Sequence, residues 1–157
     1  MAAVKEYRLA RTIALGVPLA LLGGAYLSQY GFGLYPCEMC WWQRYPHFAA
    51  LVLALAALVQ PRQKLWPLLA GLAILTSGLI GAFHAGVEYH WWEGITGCAT
   101  TAKAGGDPLA AILNAPIVRC DVPAWTLFGI SLAGFNFLIS TGAALLAFQL
   151  LRKGRSA

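Results

Sequence analysis

Residues 65–87 read Leu-Trp-Pro-Leu-Leu-Ala-Gly-Leu-Ala-Ile-Leu-Thr-Ser-Gly-Leu-Ile-Gly-Ala-Phe-His-Ala-Gly-Val, with no charged residue before Glu88. A helix rising about 1.5 Å per residue needs about 20 such positions to cross a hydrocarbon core of roughly 30 Å. Working outward, three more runs qualify: Thr12–Tyr30, Trp41–Gln60 and Trp125–Leu151. In the second, the strictly apolar part is only Phe48–Val59, so its outer end must carry polar groups. Lipid offers no partner for the backbone, so spanning segments are helices or closed barrels, and these runs are too long for barrel strands. Composition agrees: 59% of the 157 residues are hydrophobic and 11% charged, with mean hydropathy +0.65. So little charge excludes an ordinary soluble domain and intrinsic disorder. The expected fold is an all-α integral membrane protein, one four-transmembrane-helix bundle over residues 1–157.

The net charge of +5 reports topology once its distribution is read. Lys5, Arg8, Arg11, Arg62, Lys64, Arg152, Lys153 and Arg155 flank one set of span ends, with Glu6 the single acid among them. Arg44, Lys103 and Arg119 share the other side with Glu38, Glu88, Glu93, Asp107 and Asp121. The positive-inside rule puts both termini and the 61–64 turn in the cytoplasm, and the basic excess then gives no support to nucleic-acid binding. The first run also resembles a signal peptide, with basic residues before it and Gly23, Gly24 and Ala25 near its end; apolar character through Tyr30 favours a retained anchor. Two outward loops remain, a short one at 31–40 and a long one at 89–124. In the long loop Asp107-Pro108 reads as an N-cap with proline at the first helical position, and Leu109, Ile112 and Leu113 would share a face of a short surface helix or belong to a plain loop.

All four cysteines, Cys37, Cys40, Cys98 and Cys120, lie in or at the edge of these outward loops. That is the oxidising side, where disulfides persist. Proximity favours Cys37–Cys40 and Cys98–Cys120 among three possible pairings. Cys37-Glu38-Met39-Cys40 would close a tight, reducible ring where a helix begins, with Cys40 near the N-terminal dipole that favours a thiolate. A structural staple, or a zinc site built from the four thiols, are the other readings of these residues.

Counting from Cys40 along a helix, Gln43, Arg44 and His47 fall on its face. A polar stripe at the end of a membrane helix is costly, and intramembrane ionisable residues point first to function. Arg44 can stabilise an anion one turn below the thiol; snorkelling to the headgroups is the alternative. Pro46 either opens the apolar part of the helix or kinks it, making space near Arg44. His84 and Glu88 form an i, i+4 pair in the third span, where His84 could bond a carbonyl ligand or simply pair with Glu88. Trp41, Trp42, Trp91 and Trp92 read as an aromatic interface belt.

Pro36-Cys37-Glu38-Met39-Cys40-Trp41-Trp42-Gln43-Arg44-Tyr45-Pro46-His47 resembles the Cys-x-x-Cys-x-x-Gln-Arg-x-Pro signature of the bacterial disulfide bond formation protein B (DsbB) family. His84-Ala85-Gly86-Val87-Glu88 with Trp91-Trp92 and Cys98, and Arg119-Cys120-Asp121 with Trp125–Ser131, look like the same family. The resemblance implies a thiol:quinone oxidoreductase of the bacterial inner membrane, with its active site on the periplasmic side. It would reoxidise a periplasmic DsbA-like dithiol protein of thioredoxin fold and pass the electrons to ubiquinone or menaquinone, with no metal. That electron-transport chain is the general one that keeps the periplasm oxidising. Carried over, Cys98 and Cys120 are the loop pair, attacked at Cys98. Cys37 exchanges with that pair, and Cys40 meets quinone as a thiolate. Arg44 is the quinone-site arginine and His84 the counterpart of a histidine near the quinone; Gln43 and His47, on the Cys40 face, and Glu88, beside His84, are further candidates for binding the quinone. A vitamin K epoxide reductase type would place its Cys-x-x-Cys near the last span, the reverse of the order here. A merely stapled structural bundle has no use for the Cys40/Gln43/Arg44/His47 face.

Overall fold

The computed structural model describes residues 2–96, 99–100 and 117–154. Four helices carry most of them: α1 (Ala2–Gly31), α2 (Glu38–Val59), α3 (Leu65–Glu88) and α4 (Leu132–Lys153). Two short antiparallel pairs complete the described chain: β1 (Ala99–Thr100) with β2 (Ile117–Val118), and β3 (Thr126–Leu127) with β4 (Ile130–Ser131). The helices α1, α3 and α4 are long and apolar enough to cross a membrane; α2 dilutes its apolar run with a buried polar half.

Helix ends depart from the apolar runs for local reasons. The first helix extends back to Ala2, since Lys5, Arg8 and Arg11 are good helix formers. The fourth begins only at Leu132, because the Trp125–Ser131 part of the apolar run turns back on itself. Phe128 and Gly129 both have positive φ there (51° and 78°), as a two-residue type I′ hairpin turn requires. The Ser131 side chain then accepts the Gly134 N–H at 3.1 Å, capping α4. Pro46 lies well inside α2, where it leaves the Trp42 carbonyl without its i+4 backbone donor.

Packing is inverted relative to a soluble protein. Tight contacts run through small residues, among them Ala14, Ala50, Ala54, Ala70, Ala144 and Ala147, while Leu19, Leu27, Val52, Leu55, Leu79 and Leu145 face outward. Large apolar residues facing lipid and small residues between helices are the pattern of membrane bundles. The α3 helix packs on α2 and α4, and α1 packs on α2 and α4. Gly71 meets Phe148, and Gly78 meets Ser140 and Thr141 so closely that a β-carbon would stand 2.6 Å and 2.7 Å from its neighbours.

The two ends of the bundle differ. At one, Tyr7 donates to the Gln63 carbonyl (3.1 Å), and Lys64 Nζ donates to the carbonyls of Leu151 (3.4 Å) and Gly154 (2.5 Å). These bonds gather the start of α1, the 61–64 turn and the end of α4, and with them Lys5, Arg8, Arg11, Arg62, Arg152 and Lys153. At the opposite end Tyr89 clamps the hairpin, donating to Gly129 O and accepting from Ser131 N, each at 2.9 Å. Cys98, Lys103, Arg155 and the helix expected around Asp107-Pro108, Leu109, Ile112 and Leu113 lie outside the described residues.

Candidate thiol site and apolar cavity

The site begins at the start of α2. Cys37 is its N-cap, in extended backbone (φ −77°, ψ 178°), and its sulfur accepts the Cys40 N–H at 3.3 Å, as a serine or aspartate oxygen commonly does. The same turn brings the sulfurs of Cys37 and Cys40 to 2.9 Å, within reach of a disulfide of about 2.05 Å. Cys37 is buried, and Cys40 is half-buried. The contact with Cys40 and burial hold the Cys37 thiol well above the ordinary thiol range, so this sulfur keeps the proton the pair shares. Cys120 is buried beside Cys37 in a cluster with Met39 and Val87. The sulfurs of Cys37 and Cys120 and a ring nitrogen of His84 all lie within 4.8 Å of one another. The β1–β2 register pairs Ala99 and Thr100, which directly follow Cys98 in sequence, with Val118 and Ile117, two and three positions before Cys120.

A buried polar network fixes the imidazoles. Gln43 Nε2 donates to the Met39 carbonyl (3.2 Å), which makes that atom the amide nitrogen. It also donates to His84 Nδ1 (2.8 Å), so Nδ1 accepts and Nε2 carries the proton. The protonated Nε2 then faces Cys37 Sγ at 3.6 Å and Glu88 Oε1 at 3.8 Å. A metal-ligating imidazole has the opposite polarity, with its free nitrogen donating to an acceptor, so this His84 is held as a donor toward sulfur. On the other side Asn136 Nδ2 donates to Gln43 Oε1 (2.9 Å), to the Ser77 carbonyl (3.1 Å) and to Ser77 Oγ (3.1 Å). Asn136 Oδ1 is thereby the acceptor, taking the Ser140 hydroxyl (2.9 Å) and His47 Nε2–H (3.0 Å). Ser77 in turn donates to the Gln43 carbonyl at 2.7 Å.

Beside this network is a cavity of about 240 Å³, lined by Cys40, Gln43, Arg44, His47 and Asn136 among apolar residues such as Leu22 and Phe135. Roughly 150 Å³ of apolar space is enough for benzene, so this space is large enough for a single ring. Arg44, only 6% exposed, donates to Gln29 Oε1 (2.7 Å) and the Ala25 carbonyl (3.3 Å). Its guanidinium lies 4.9 Å from the ring centres of both Tyr26 and Trp41. These partners are neutral, so they orient the cation without cancelling its charge.

The residues singled out in the sequence thus fall into two groups. Cys40, Gln43, Arg44 and His47 share the cavity. His84 and Glu88 stand behind Gln43, turned toward Cys37, and neither lines the cavity. Trp41 touches Arg44, and Trp92 stacks on Phe83 and lies over Gly86, so both have specific partners beyond an interface belt. Sequence reading missed Asn136, Ser77 and Ser140. An amide in the middle of an apolar run was the available signal for Asn136. Beyond the cavity, Arg119 forks onto Asp121 on the exposed loop, its Nε 2.8 Å from Oδ1, and this holds the carboxyl down at about 2.

Comparison with known proteins gives one consistent result. The family model described as disulfide bond formation protein DsbB matches residues 7–150. A disulfide bond formation protein B of Acidovorax sp. (strain JS42) is 30% identical over 88% of this chain and 89% of its own length. One of Azoarcus sp. (strain BH72) is 32% identical over 82% of this chain and 81% of its own. An uncharacterized protein RP370 of Rickettsia prowazekii (strain Madrid E) is 25% identical over 86% and 82%. No solved structure matches the chain at a significant level.

Proposed function

The chain belongs to the disulfide bond formation protein DsbB family, and from that premise we propose that it moves electrons from a periplasmic dithiol protein, through two cysteine pairs, to a membrane quinone. Family membership makes it a membrane disulfide oxidoreductase; the route and the acceptor are our reading. One observation carries the reading: Cys37 stands between Cys120 on one side and Cys40, which faces the cavity, on the other.

The steps are thiol–disulfide exchanges, and each attack releases one thiolate. A thiolate of the reduced, thioredoxin-fold partner attacks Cys98 of a Cys98–Cys120 disulfide and displaces the Cys120 thiolate. The second thiol of the partner resolves the mixed disulfide, leaving the partner oxidised and Cys98 reduced. Cys120 attacks Cys37 of a Cys37–Cys40 disulfide, and Cys40 leaves as a thiolate. Cys98 then attacks Cys120, restoring the loop disulfide and leaving Cys37 and Cys40 reduced. His84 Nε2–H points at Cys37 Sγ and stabilises negative charge there during the exchange. Arg44 stabilises the negative charge on Cys40 and on the head group beside it.

The cavity residues suit a quinone head group: an oriented, uncancelled cation, neutral amide and imidazole groups, and apolar walls. A bound ubiquinone, or menaquinone, supplies the sink for the two electrons and two protons released as Cys37 and Cys40 close their disulfide. This reading puts the basic end of the bundle in the cytoplasm and the thiols at the periplasmic face of the inner membrane.

Purified protein in detergent, given a reduced thioredoxin-fold dithiol protein and a short-chain ubiquinone, should bleach the quinone absorbance stoichiometrically with partner oxidation. Cys40→Ser should abolish that signal. Absence of quinone reduction by the unmodified chain, or undiminished reduction by Cys40→Ser, overturns the reading.

A further inference from the structure

We infer that Gln29 is a positioning residue whose neutrality keeps the charge of Arg44 available inside the cavity, a role that rests on the cavity's being the quinone site. A buried guanidinium is ordinarily matched by a carboxylate, because an unpaired charge is costly to bury. Arg44 is buried, yet its partners are of another kind. Gln29 Oε1 accepts from Nη1 at 2.7 Å, the Ala25 carbonyl accepts from Nη2 at 3.3 Å, and the ring centres of Tyr26 and Trp41 each stand 4.9 Å from the guanidinium carbon. Among the described residues the ion pairs are His84–Glu88 and Arg119–Asp121, and neither involves Arg44.

Three of these partners come from one stretch of α1. Ala25 and Gln29 are one turn apart, with Tyr26 between them, close to the helix end at Gly31. The C-terminal end of a helix carries a partial negative charge, which favours a cation without neutralising it. Gln29 supplies the side-chain hydrogen bond of this socket. A glutamate would accept the same N–H from the same place, and the guanidinium would then be fixed but cancelled. With the amide it is fixed and its charge stays unpaired. Two of the five guanidinium N–H groups go to Gln29 and Ala25, and these bonds leave the others unused. Arg44 lines the cavity together with Cys40, one turn before it on α2. The unpaired charge therefore acts on the Cys40 sulfur and on the head group beside it.

Two variants of nearly the same shape separate neutrality from support. Gln29→Glu keeps the acceptor and adds a counter-ion; Gln29→Met removes the acceptor and adds no charge. Three measurements on the full-length protein in detergent read them. The first is the rate at which iodoacetamide alkylates Cys40 of the reduced, quinone-free protein at neutral pH, mapped by mass spectrometry. The others are kcat/KM for a short-chain ubiquinone and thermal unfolding. Gln29→Glu should unfold no earlier than the unmodified chain. It should nonetheless slow Cys40 alkylation about three- to tenfold and lower kcat/KM for quinone about tenfold or more. Gln29→Met should lower kcat/KM about three- to tenfold, the size of one hydrogen bond, and slow Cys40 alkylation less than Gln29→Glu does. A merely supporting Gln29 reverses that order, because glutamate supports Arg44 and methionine does not. A Gln29→Glu protein that matches the unmodified chain, a Gln29→Met protein slower than Gln29→Glu, or a Gln29→Met protein that loses nothing in turnover overturns the inference. If the unmodified chain leaves quinone unreduced, the quinone reading itself fails, and the order of the Cys40 alkylation rates then decides on Gln29 alone.

Discussion

Arg44 shows what a single residue contributes. A guanidinium held by an amide oxygen, a backbone carbonyl and two aromatic faces is fixed in place, yet keeps its full charge for an anion. Arg44→Ala should raise the KM for quinone at least tenfold, since hydrogen bonds to charged groups are worth about 1.5–3 kcal/mol, while the KM for the dithiol partner stays the same. Arg44→Lys should recover only part of the loss, because a point charge cannot reproduce the fork. Steady-state kinetics with each substrate varied in turn will decide; equal effects on both substrates would remove Arg44 from the acceptor site. Cys40, Gln43, Arg44 and His47 were legible in the sequence because helical spacing alone puts them on one face. Asn136 was not, because its partners Gln43, His47 and Ser77 come from two other helices far away in the chain. The placement of His84 against Cys37 was equally hidden, since i, i+4 spacing shows Glu88 as its neighbour and says nothing of what approaches from α2.

At the scale of elements, α3 is the helix on which the site depends. Its small residues let α2 and α4 come close enough for Gln43 and Asn136 to meet. Gly81 is the tightest case, where a β-carbon would lie 2.9 Å from the Ala133 carbonyl and 3.1 Å from both Asn136 Nδ2 and Gln43 Oε1. Gly81→Ala should therefore destabilise the protein by about 1–3 kcal/mol, the usual penalty for overpacking, and slow quinone reduction without touching any thiol. Thermal unfolding in detergent, with turnover measured beside it, checks this; an unperturbed variant would mean that α2 and α4 are not held at this distance. Hydrophobic runs revealed the four helices of the described residues, because membrane helices need length and apolarity before anything else. They misplaced the start of α4, since Trp125–Ser131 is as apolar as a span and Gly129 is the one strong turn signal in it. Leu132 becomes the first helical residue only because a hairpin with two positive-φ residues precedes it and Ser131 caps the new helix.

For the whole molecule, the inverted packing, the basic end and the thiol end together describe a bundle with a polar thiol site and an apolar-walled cavity at the end opposite its basic residues. Charge placement made the two ends legible in the sequence. What lay beyond it was the meeting of Cys120 with Cys37, which comes about through loop geometry that no periodicity encodes. The proposed route of electrons turns on that contact, and it can be trapped. In Cys40→Ser, Cys37 has lost the cysteine it would pair with but still faces Cys120, so its exchange with the loop disulfide, the Cys37 proton passing to Cys98, should accumulate a Cys37–Cys120 bond and a free Cys98. Peptide mapping by mass spectrometry of this variant, purified with its thiols blocked, should find the Cys37–Cys120 cross-link as the dominant species. Recovery of an intact Cys98–Cys120 pair with Cys37 free, or of Cys37 joined to Cys98, would contradict the route.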